Sequence, residues 1–429
     1  METCLPVLSP DDSLPQKHEK LARILTDADN LLVIQDLDGV CMGLVKDPLT
    51  RTIAPEYVWA TRAFDGHFFV LTNGEHCGQR GVNGIVERAF GGAELVRERG
   101  LYLPGLAAGG VQWQDCYGNV SHPGVSEAEL AFLRSVPGRL RARLCDFCQR
   151  YPEAIAPALV EKTIAASVLD NVASPTANLN TFYDCLHGDV KSYGRLQRAM
   201  ESLMDELLQA AAEQGLGDSF FVHLAPNLGK DVRGREVLYP VSASDSGTTD
   251  FQFMLRGALK EVGVLAILNR YYHRRTGTYP FGPDFNVRSA PHRHDELLAL
   301  VRERLDPDLM PVTIAVGDTV TSRAETVHGS NEFRRGGSDR GFLELVQAIG
   351  RAIGRDNIVV YVDSSGGEVK NRKPLVLSND GNTVIAGPGD PSDRDDPLAI
   401  DIVFPGGHKQ YTTLLQTAAR DRTTKRDGR

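Results

Sequence analysis

Four short apolar segments stand out along the chain, and each follows a helix-like or polar stretch. They are rich in β-branched or aromatic residues and cover residues 31–35, 67–72, 312–317 and 357–362. A segment that is apolar at nearly every position is typical of a strand that is covered on both faces. The pattern therefore predicts an α/β protein in which a parallel sheet lies between helices.

The middle of the chain has a different pattern. From about residue 125 to 275, apolar residues recur at three- and four-residue spacing, as in SEAELAFLRSVPGRLRARL, and this spacing indicates helices. Because strand–helix segments lie on both sides, we expect a core that is interrupted by a large inserted domain. The predicted boundaries are 1–118 and 286–429 for the two parts of the core and 119–285 for the insertion.

Composition narrows the class of protein. The chain has 429 residues and a net charge of −9, which argues against a nucleic-acid-binding protein, because such proteins normally carry a basic excess. No apolar segment has the length needed to cross a membrane. The locally basic stretch 417–429 is interpreted as a frayed tail.

The cysteines and the N-terminal residues favour a cytoplasmic location. Cys145 and Cys148 form a C-x-x-C pair, but no second pair lies at the spacing of a zinc site. The N-terminal residues lack the pattern of a secretory signal. We therefore expect a cytoplasmic protein with reduced cysteines.

Polar side chains follow three of the four predicted strands. Asp36 and Asp38 come after the first strand, and Asp318 follows the third. Thr72 is the last residue of the second strand, and Asn73 and Gly74 follow it. Ligands of open parallel sheets bind beyond the carboxyl ends of the strands. We therefore expect these residues to converge on one site.

The residue types at this site suit phosphoryl transfer. Clustered carboxylates repel one another unless a cation lies among them, and hard oxygen ligands suit Mg²⁺. An aspartate can attack phosphorus, and a second acid can transfer protons. The Thr72 hydroxyl and the backbone around Asn73 and Gly74 could bind phosphoryl oxygens, and Lys46 could guide an anionic substrate.

The segments DLDGV, LTN and GD at these strand ends resemble the haloacid dehalogenase superfamily. The resemblance implies a Rossmann-like core in which Asp36 is the nucleophile and Asp38 the general acid and base. Thr72 would be the hydroxyl of the second motif, and Asp318 would join Asp36 and Asp38 in binding Mg²⁺.

The superfamily also places a Lys or Arg near these acids. Arg293, in the segment that precedes the GD strand, is the best match, and Lys230 and Lys260 are the alternatives. An arginine at this place, as in Arg293, departs from the lysine that is commoner in the superfamily.

A second acid often follows the GD motif in this superfamily. Many members have G-D-x-x-x-D, but here Ser322 stands at that position. The second acid would have to come from Asp339 or Asp363, although Asp339 is better interpreted as a helix N-cap.

The stretch LLVIQDLDGVCMGLVKDPLTRTIAPEYV resembles, more narrowly, the glucosylglycerol 3-phosphatase family, and VGDTVTS and GGSDRGFLEL fit the same resemblance. It implies hydrolysis of glucosylglycerol 3-phosphate in osmolyte synthesis for salt tolerance, with a functional link to the synthase that makes the phosphorylated substrate. The alternatives are another sugar phosphate, such as sucrose or trehalose phosphate, or a sugar-phosphate sensor without turnover. The residues that could contact the sugar, by side-chain type alone, are Trp113, Tyr117, His187, Asp189, Tyr193, Arg270, Tyr271, Tyr272 and Arg274.

Overall fold

The computed structural model describes residues 5–45, 48–78, 80–186, 188–243, 245–327, 330–368, 373–388 and 393–428. The chain forms two compact units. The first, which we call the core unit, comprises residues 1–76, 82–124 and 259–429, and the second, the inserted unit, comprises residues 77–81 and 125–258.

The strands and helices are numbered in chain order. The strands are β1 Leu31–Gln35, β2 Phe68–Leu71, β3 Gly105–Ala107, β4 Gln112–Gln114, β5 Val120–Ser121, β6 Val168–Leu169, β7 Thr176–Asn178, β8 Phe220–Ala225, β9 Asn227–Lys230, β10 Glu236–Leu238, β11 Asp250–Leu255, β12 Val312–Gly317, β13 Thr321–Val327, β14 Ser330–Gly336, β15 Ile358–Val362, β16 Val376–Leu377, β17 Val384–Ala386 and β18 Ile402–Phe404. The helices are α1 Leu14–Asp27, α2 Pro55–Thr61, α3 Val82–Phe90, α4 Ala93–Glu98, α5 Glu127–Arg150, α6 Pro157–Ser167, α7 Asn180–Leu186, α8 Val190–Glu213, α9 Lys260–Thr276, α10 His294–Arg304, α11 Arg340–Ile353 and α12 Gly407–Asp427.

The core unit contains an eight-stranded sheet in the order β18-β15-β12-β1-β2-β3-β4-β5. Every pairing from β18 to β3 is parallel, and β4 and β5 extend the sheet in antiparallel fashion. All residues of β1, β2 and β15 are buried, as a sheet covered on both faces requires. The predicted α/β fold with a parallel sheet is confirmed.

The inserted unit has an antiparallel sheet of its own, in the order β6-β7-β11-β8. Alternate residues of β11 are buried, which is the period expected of a strand with one covered face. On that face, the rings of Phe220 and Phe253 pack against Phe132 of α5 with ring centroids 5.3 and 5.8 Å away.

The inserted unit ends before the predicted boundary at residue 285. Besides the short segment 77–81, it consists of Val125–Ala258. Helix α9 therefore belongs to the core unit. The physical reason is the apolar surface of α9, which buries Val262 and Leu265 and brings Gly263 against the side chain of Leu71.

The prediction of a frayed C-terminal tail is wrong. Residues 407–427 form helix α12, and the Arg422 side chain is only 2% exposed. Its guanidinium donates hydrogen bonds to the carbonyl oxygens of Leu25 and Ala28, at 3.0 and 2.8 Å. Because these carbonyls lie at the C-terminal end of α1, Arg422 satisfies acceptors that the helix itself leaves unpaired.

Across the part of the chain that the structure describes, no helix combines the length and the apolar character needed to cross a membrane.

Candidate active site

Two of the predicted acids lie side by side because their strands are neighbours in register. β1 pairs with β12 so that Gln35 is opposite Val316, and the next residue, Asp36, donates its backbone N–H to the Val316 carbonyl at 2.9 Å. Asp318 follows β12 directly. The carboxyl edge of the sheet therefore presents both acids at one place, as the sequence predicted.

A third acid joins them from a distant part of the chain. Asp36, Asp318 and Asp339 each offer a carboxylate oxygen within 4.8 Å of the others, and we call these three residues the acid cluster. Asp339 stands at the N-cap position of α11, as its sequence context predicted. Its carboxylate, however, accepts hydrogen bonds from the backbone N–H groups of Asp318 and Thr319, at 2.8 and 2.9 Å.

A buried lysine lies against the acid cluster. Lys260 is the first residue of α9, and its side chain is only 3% exposed. Its Nζ is 2.6 Å from Asp339 Oδ1 and 3.1 Å from Asp36 Oδ2. The structure thus places at the site the cation that the sequence offered only as an alternative.

Burial and neighbouring charges control the protonation of this group of side chains. Burial raises the pKa of Asp36 to about 8; the positive charge of Lys260 opposes that rise, and the charges of Asp339, Asp318 and Asp38 add to it. Burial also disfavours the charged forms of Lys260 and Asp339. The attraction between their opposite charges outweighs this effect of burial, so that the pKa of Lys260 is raised and the pKa of Asp339 is lowered.

Two glycines allow the acids to approach the strand ends. A Cβ atom on Gly39, which has a φ of +80°, would lie 2.2 Å from Asp318 Oδ2. A Cβ atom on Gly317 would lie 2.7 Å from Asp339 Oδ2. Since non-bonded heavy atoms do not come this close, both positions require glycine, and the G of DLDG and the G of GD have a direct structural reason.

Asp38 lies in a more open environment than Asp36. Its side chain is 26% exposed, and Oδ1 is 3.1 Å from Nε of Arg51. The other oxygen, Oδ2, lies near the turn after β2, because a Cβ atom on Gly74 would be 3.9 Å from it and 3.6 Å from Thr72 Oγ1. Asp38 is therefore positioned between Arg51 and the Thr72–Gly74 turn.

The turn after β2 is closed by a side-chain hydrogen bond. Thr72 is 3% exposed, and its hydroxyl accepts a hydrogen bond from the Gly74 N–H at 3.2 Å. Asn73 is exposed.

The structure places the remaining candidates elsewhere. Arg293 is exposed and its guanidinium is 2.8 Å from Asp295, so it is Lys260 and not Arg293 that the fold brings to Asp36. Lys230 ends β9 in the inserted unit, and Lys46 lies outside the described residues. The carboxylate of Asp363 accepts the backbone N–H groups of Ser365 and Leu375 and so supports a loop.

The acid cluster fits a divalent cation. Within the described residues, Asp36 Oδ1 is buried and has no hydrogen-bond partner, and the three carboxylates of the acid cluster lie beside one buried cation, Lys260. Carboxylate oxygens in this arrangement are ligands for a hard divalent ion. The set differs from the predicted metal ligands in that Asp339 takes the place of Asp38.

Two comparisons with known proteins bear on the family of this chain. The family model for glucosylglycerol-phosphate phosphatase matches residues 30–419. The glucosylglycerol-phosphate phosphatase of Synechocystis sp. (strain ATCC 27184 / PCC 6803 / Kazusa) is 56% identical over 407 residues, which cover 94% of this chain and 96% of the relative.

Two solved structures show a more distant likeness. Trehalose-6-phosphate phosphatase of Aspergillus fumigatus has a TM-score of 0.37 and 9% identity, and the match covers 97% of this chain and 100% of that one. The C-terminal domain of the C. albicans trehalose-6-phosphate phosphatase has a TM-score of 0.40 and 11% identity, over 96% and 99% of the two chains. Likenesses this distant support no conclusion about substrate. The Synechocystis relative matches along almost its whole length, and the family model covers most of this chain. The chain therefore belongs to the glucosylglycerol-phosphate phosphatase family, and it is a phosphoric monoester hydrolase.

Proposed function

We propose that this protein hydrolyses glucosylglycerol 3-phosphate to glucosylglycerol and inorganic phosphate, with Asp36 as nucleophile and Mg²⁺ as cofactor. Family membership supports the substrate. The observation that carries the chemistry is the position of Asp36, whose unpartnered Oδ1 lies in a buried pocket with two further acids and a lysine.

In the first half-reaction, a carboxylate oxygen of Asp36 attacks phosphorus, and the bond from phosphorus to the ester oxygen breaks. Asp38 donates its proton to the departing oxygen, so that glucosylglycerol leaves as a neutral alcohol. The Thr72 hydroxyl and the backbone N–H groups of the Thr72–Gly74 turn bind the phosphoryl oxygens. The product on the enzyme is an aspartyl-phosphate at Asp36.

In the second half-reaction, Asp38 takes a proton from a water molecule, which attacks phosphorus. The bond between Asp36 and phosphorus breaks, inorganic phosphate is released, and both acids return to their starting states. The same carboxyl group serves as acid and then as base, which suits its partly open position.

Lys260 holds the positive charge next to the nucleophile. Its Nζ contacts Asp36 and Asp339 together, so that it favours the ionised form of Asp36 and fixes the direction of both carboxylates. Asp36, Asp318 and Asp339 would hold the Mg²⁺ ion, which when bound neutralises charge on the transferring phosphoryl group.

The experiment that tests this function is a panel of sugar phosphates. Phosphate release should be fastest, by kcat/KM, from glucosylglycerol 3-phosphate when it is compared with sucrose phosphate and trehalose phosphate. A clear preference for another member of the panel would reassign the substrate and leave the chemistry intact. Binding of all three without phosphate release would instead indicate a sensor.

Two further parts of the proposal concern the cell. Glucosylglycerol phosphate has to be supplied by the synthase that makes it, and we propose a functional link to that enzyme in osmolyte synthesis under salt stress. The cytoplasmic location stays a prediction from the cysteine pattern; the cysteines within the described residues are free thiols.

A further inference from the structure

Arg51 lies at the edge of the candidate site, in a segment to which no role has been assigned. It follows a short 3-10 helix, Pro48–Thr50, and precedes Ile53, which is buried at 5% exposure. Its Nε is 3.1 Å from Asp38 Oδ1, and its side chain is 23% exposed. Among the described residues, it is the cation that pairs with Asp38.

We propose that Arg51 is a positioning residue that holds the Asp38 carboxyl group in the orientation required for proton transfer. This inference rests on the proposed function, in which Asp38 is the general acid and base. It predicts that Arg51 acts through Asp38 and has little part in the attack of Asp36.

The first argument is the division of the two carboxyl oxygens. Arg51 occupies Oδ1, while Oδ2 is the oxygen that lies near the Gly74 position. The backbone at Asp38 is already fixed, since it bridges to Met42 and the Gly39 N–H bonds to the Met42 carbonyl at 2.9 Å. The rotation of the side chain remains to be fixed, and the contact with Arg51 does this.

The second argument is the chemistry of the guanidinium group. Arginine stays protonated at all working pH values, so it can hold a carboxyl group without exchanging a proton with it. Its donors are set in a rigid plane, which restricts the orientations that a paired carboxyl group can take. A general acid must meet its proton acceptor at hydrogen-bond distance, and a displacement of about 1 Å can cost on the order of 10²-fold in rate.

The test separates the two half-reactions by means of the leaving group. In p-nitrophenyl phosphate the leaving group needs no proton, so the first half-reaction does not depend on Asp38, whereas hydrolysis of the aspartyl-phosphate still does. For Arg51→Met we expect a burst of nitrophenol close to one per enzyme, at a rate within about threefold of wild type. Steady-state turnover of glucosylglycerol 3-phosphate should fall by about 10²-fold in kcat with little change in KM.

Two further variants make the test specific. Arg51→Lys keeps the charge but lacks the planar group, and it should recover only part of the lost kcat. Arg62→Met is the matched control: Arg62 is 30% exposed and pairs with Asp65 at 3.5 Å, and turnover should be unchanged. The burst amplitude also reports the fraction of folded, active enzyme.

A double-mutant cycle with Asp38→Ala decides whether Arg51 acts through Asp38. If it does, adding Arg51→Met to Asp38→Ala should change kcat by less than about twofold. The proposal would be overturned if the effects of the two substitutions on kcat multiplied, or if the burst in Arg51→Met slowed as much as steady-state turnover. A raised KM at unchanged kcat would also overturn it, because it would show that Arg51 binds substrate directly. Should the wild type prove inactive on glucosylglycerol 3-phosphate, the proposed function fails, while the burst and the cycle measured with p-nitrophenyl phosphate still test Arg51.

Discussion

Asp36 and Asp38 stand two residues apart, yet their surroundings have opposite character. Asp36 lies in the acid cluster, where burial raises its pKa and Lys260 is the only nearby cation among the described residues. Asp38 is partly exposed and is held by Arg51. A nucleophile benefits from a dry, rigid pocket, whereas a proton-transferring group needs access to the leaving group and to water. The difference in burial therefore matches the two proposed roles.

The sharpest way to test this contrast is Asp36→Asn. Turnover should be abolished, because an amide cannot attack phosphorus. In metal-free protein near neutral pH the free energy of unfolding should rise, on the order of a few kcal/mol, because folding has to protonate the buried Asp36 carboxyl group, whereas an amide needs no proton. Urea unfolding in EDTA measures the second effect. Residual phosphate release at more than a trace would contradict the nucleophile assignment.

Removal of the metal should come next in size. Excess EDTA should abolish turnover, and added Mg²⁺ should restore it. Ca²⁺ should restore it poorly, because it prefers more ligands at longer distances. Phosphate release that persists in EDTA would show that the acid cluster works without a divalent ion. Titration of Mg²⁺ into the Asp318→Asn variant, followed by calorimetry, tests the ligand assignment separately from activity.

Asp38→Asn should lower kcat by about 10²–10⁴-fold, the usual range for loss of a general acid or base. Unlike Asp36→Asn, it should leave the urea midpoint in EDTA almost unchanged, because the Asp38 side chain is partly solvated. The two variants, measured side by side, thus separate the buried acid from the open one. A large gain in stability from Asp38→Asn would mean that both acids share the same environment.

The two candidate cations offer a matched pair. Lys260→Met should lower the free energy of unfolding by about 3–5 kcal/mol, since it leaves Asp36 and Asp339 buried without their cation. Arg293→Met should have no measurable effect on stability or turnover, because Arg293 is exposed and pairs only with Asp295 among the described residues. Urea unfolding and phosphate release on both variants give the answer. An inactive Arg293→Met variant with normal stability would return the catalytic role to that residue.

The last expected effect concerns pH. The folded-state pKa of Asp36 is about 8, and the ordinary value in an unfolded chain is near 4. The folded state therefore holds this proton more tightly, so that the stability of metal-free protein should fall as the pH rises from about 4 to about 8. The pH dependence of the urea midpoint in EDTA, with Asp36→Asn as reference, isolates this contribution. Parallel curves for the two proteins would contradict it.

The sequence predicted well what depends on local pattern. The bounds of β1 and β12 match the predicted segments, β2 is shorter by one residue at each end, and β15 begins one residue later, because continuous apolar segments have few alternative structures. The convergence of Asp36, Thr72 and Asp318 also followed, since neighbouring parallel strands end at one edge. Their chemical roles remain predictions that the experiments above address.

Lys260 and Asp339 were harder to assign because their proximity to Asp36 depends on tertiary structure. Lys260 lies just beyond the inserted unit, and the sequence favoured the arginine nearer the GD strand. A signal was present: Lys260 begins a helix whose next turns are almost wholly apolar, and a cation there needs a buried partner. Asp339 is separated from Asp318 by the hairpin of β13 and β14, so that no fixed spacing from the GD motif predicts their proximity.

The position of β1 in the sheet has a consequence for folding. This central strand pairs with β12 so that residue 31 lies opposite residue 312. The inserted unit lies between β1 and β12 in the sequence, and its strands pair with one another. During synthesis, β2 can pair with one edge of β1 soon after it is made, but the other edge of β1 has no partner until β12 leaves the ribosome. Such high contact order slows folding and favours aggregation. We expect that nascent chains interrupted before residue 312 bind chaperones strongly, and that the release of full-length chains requires β12.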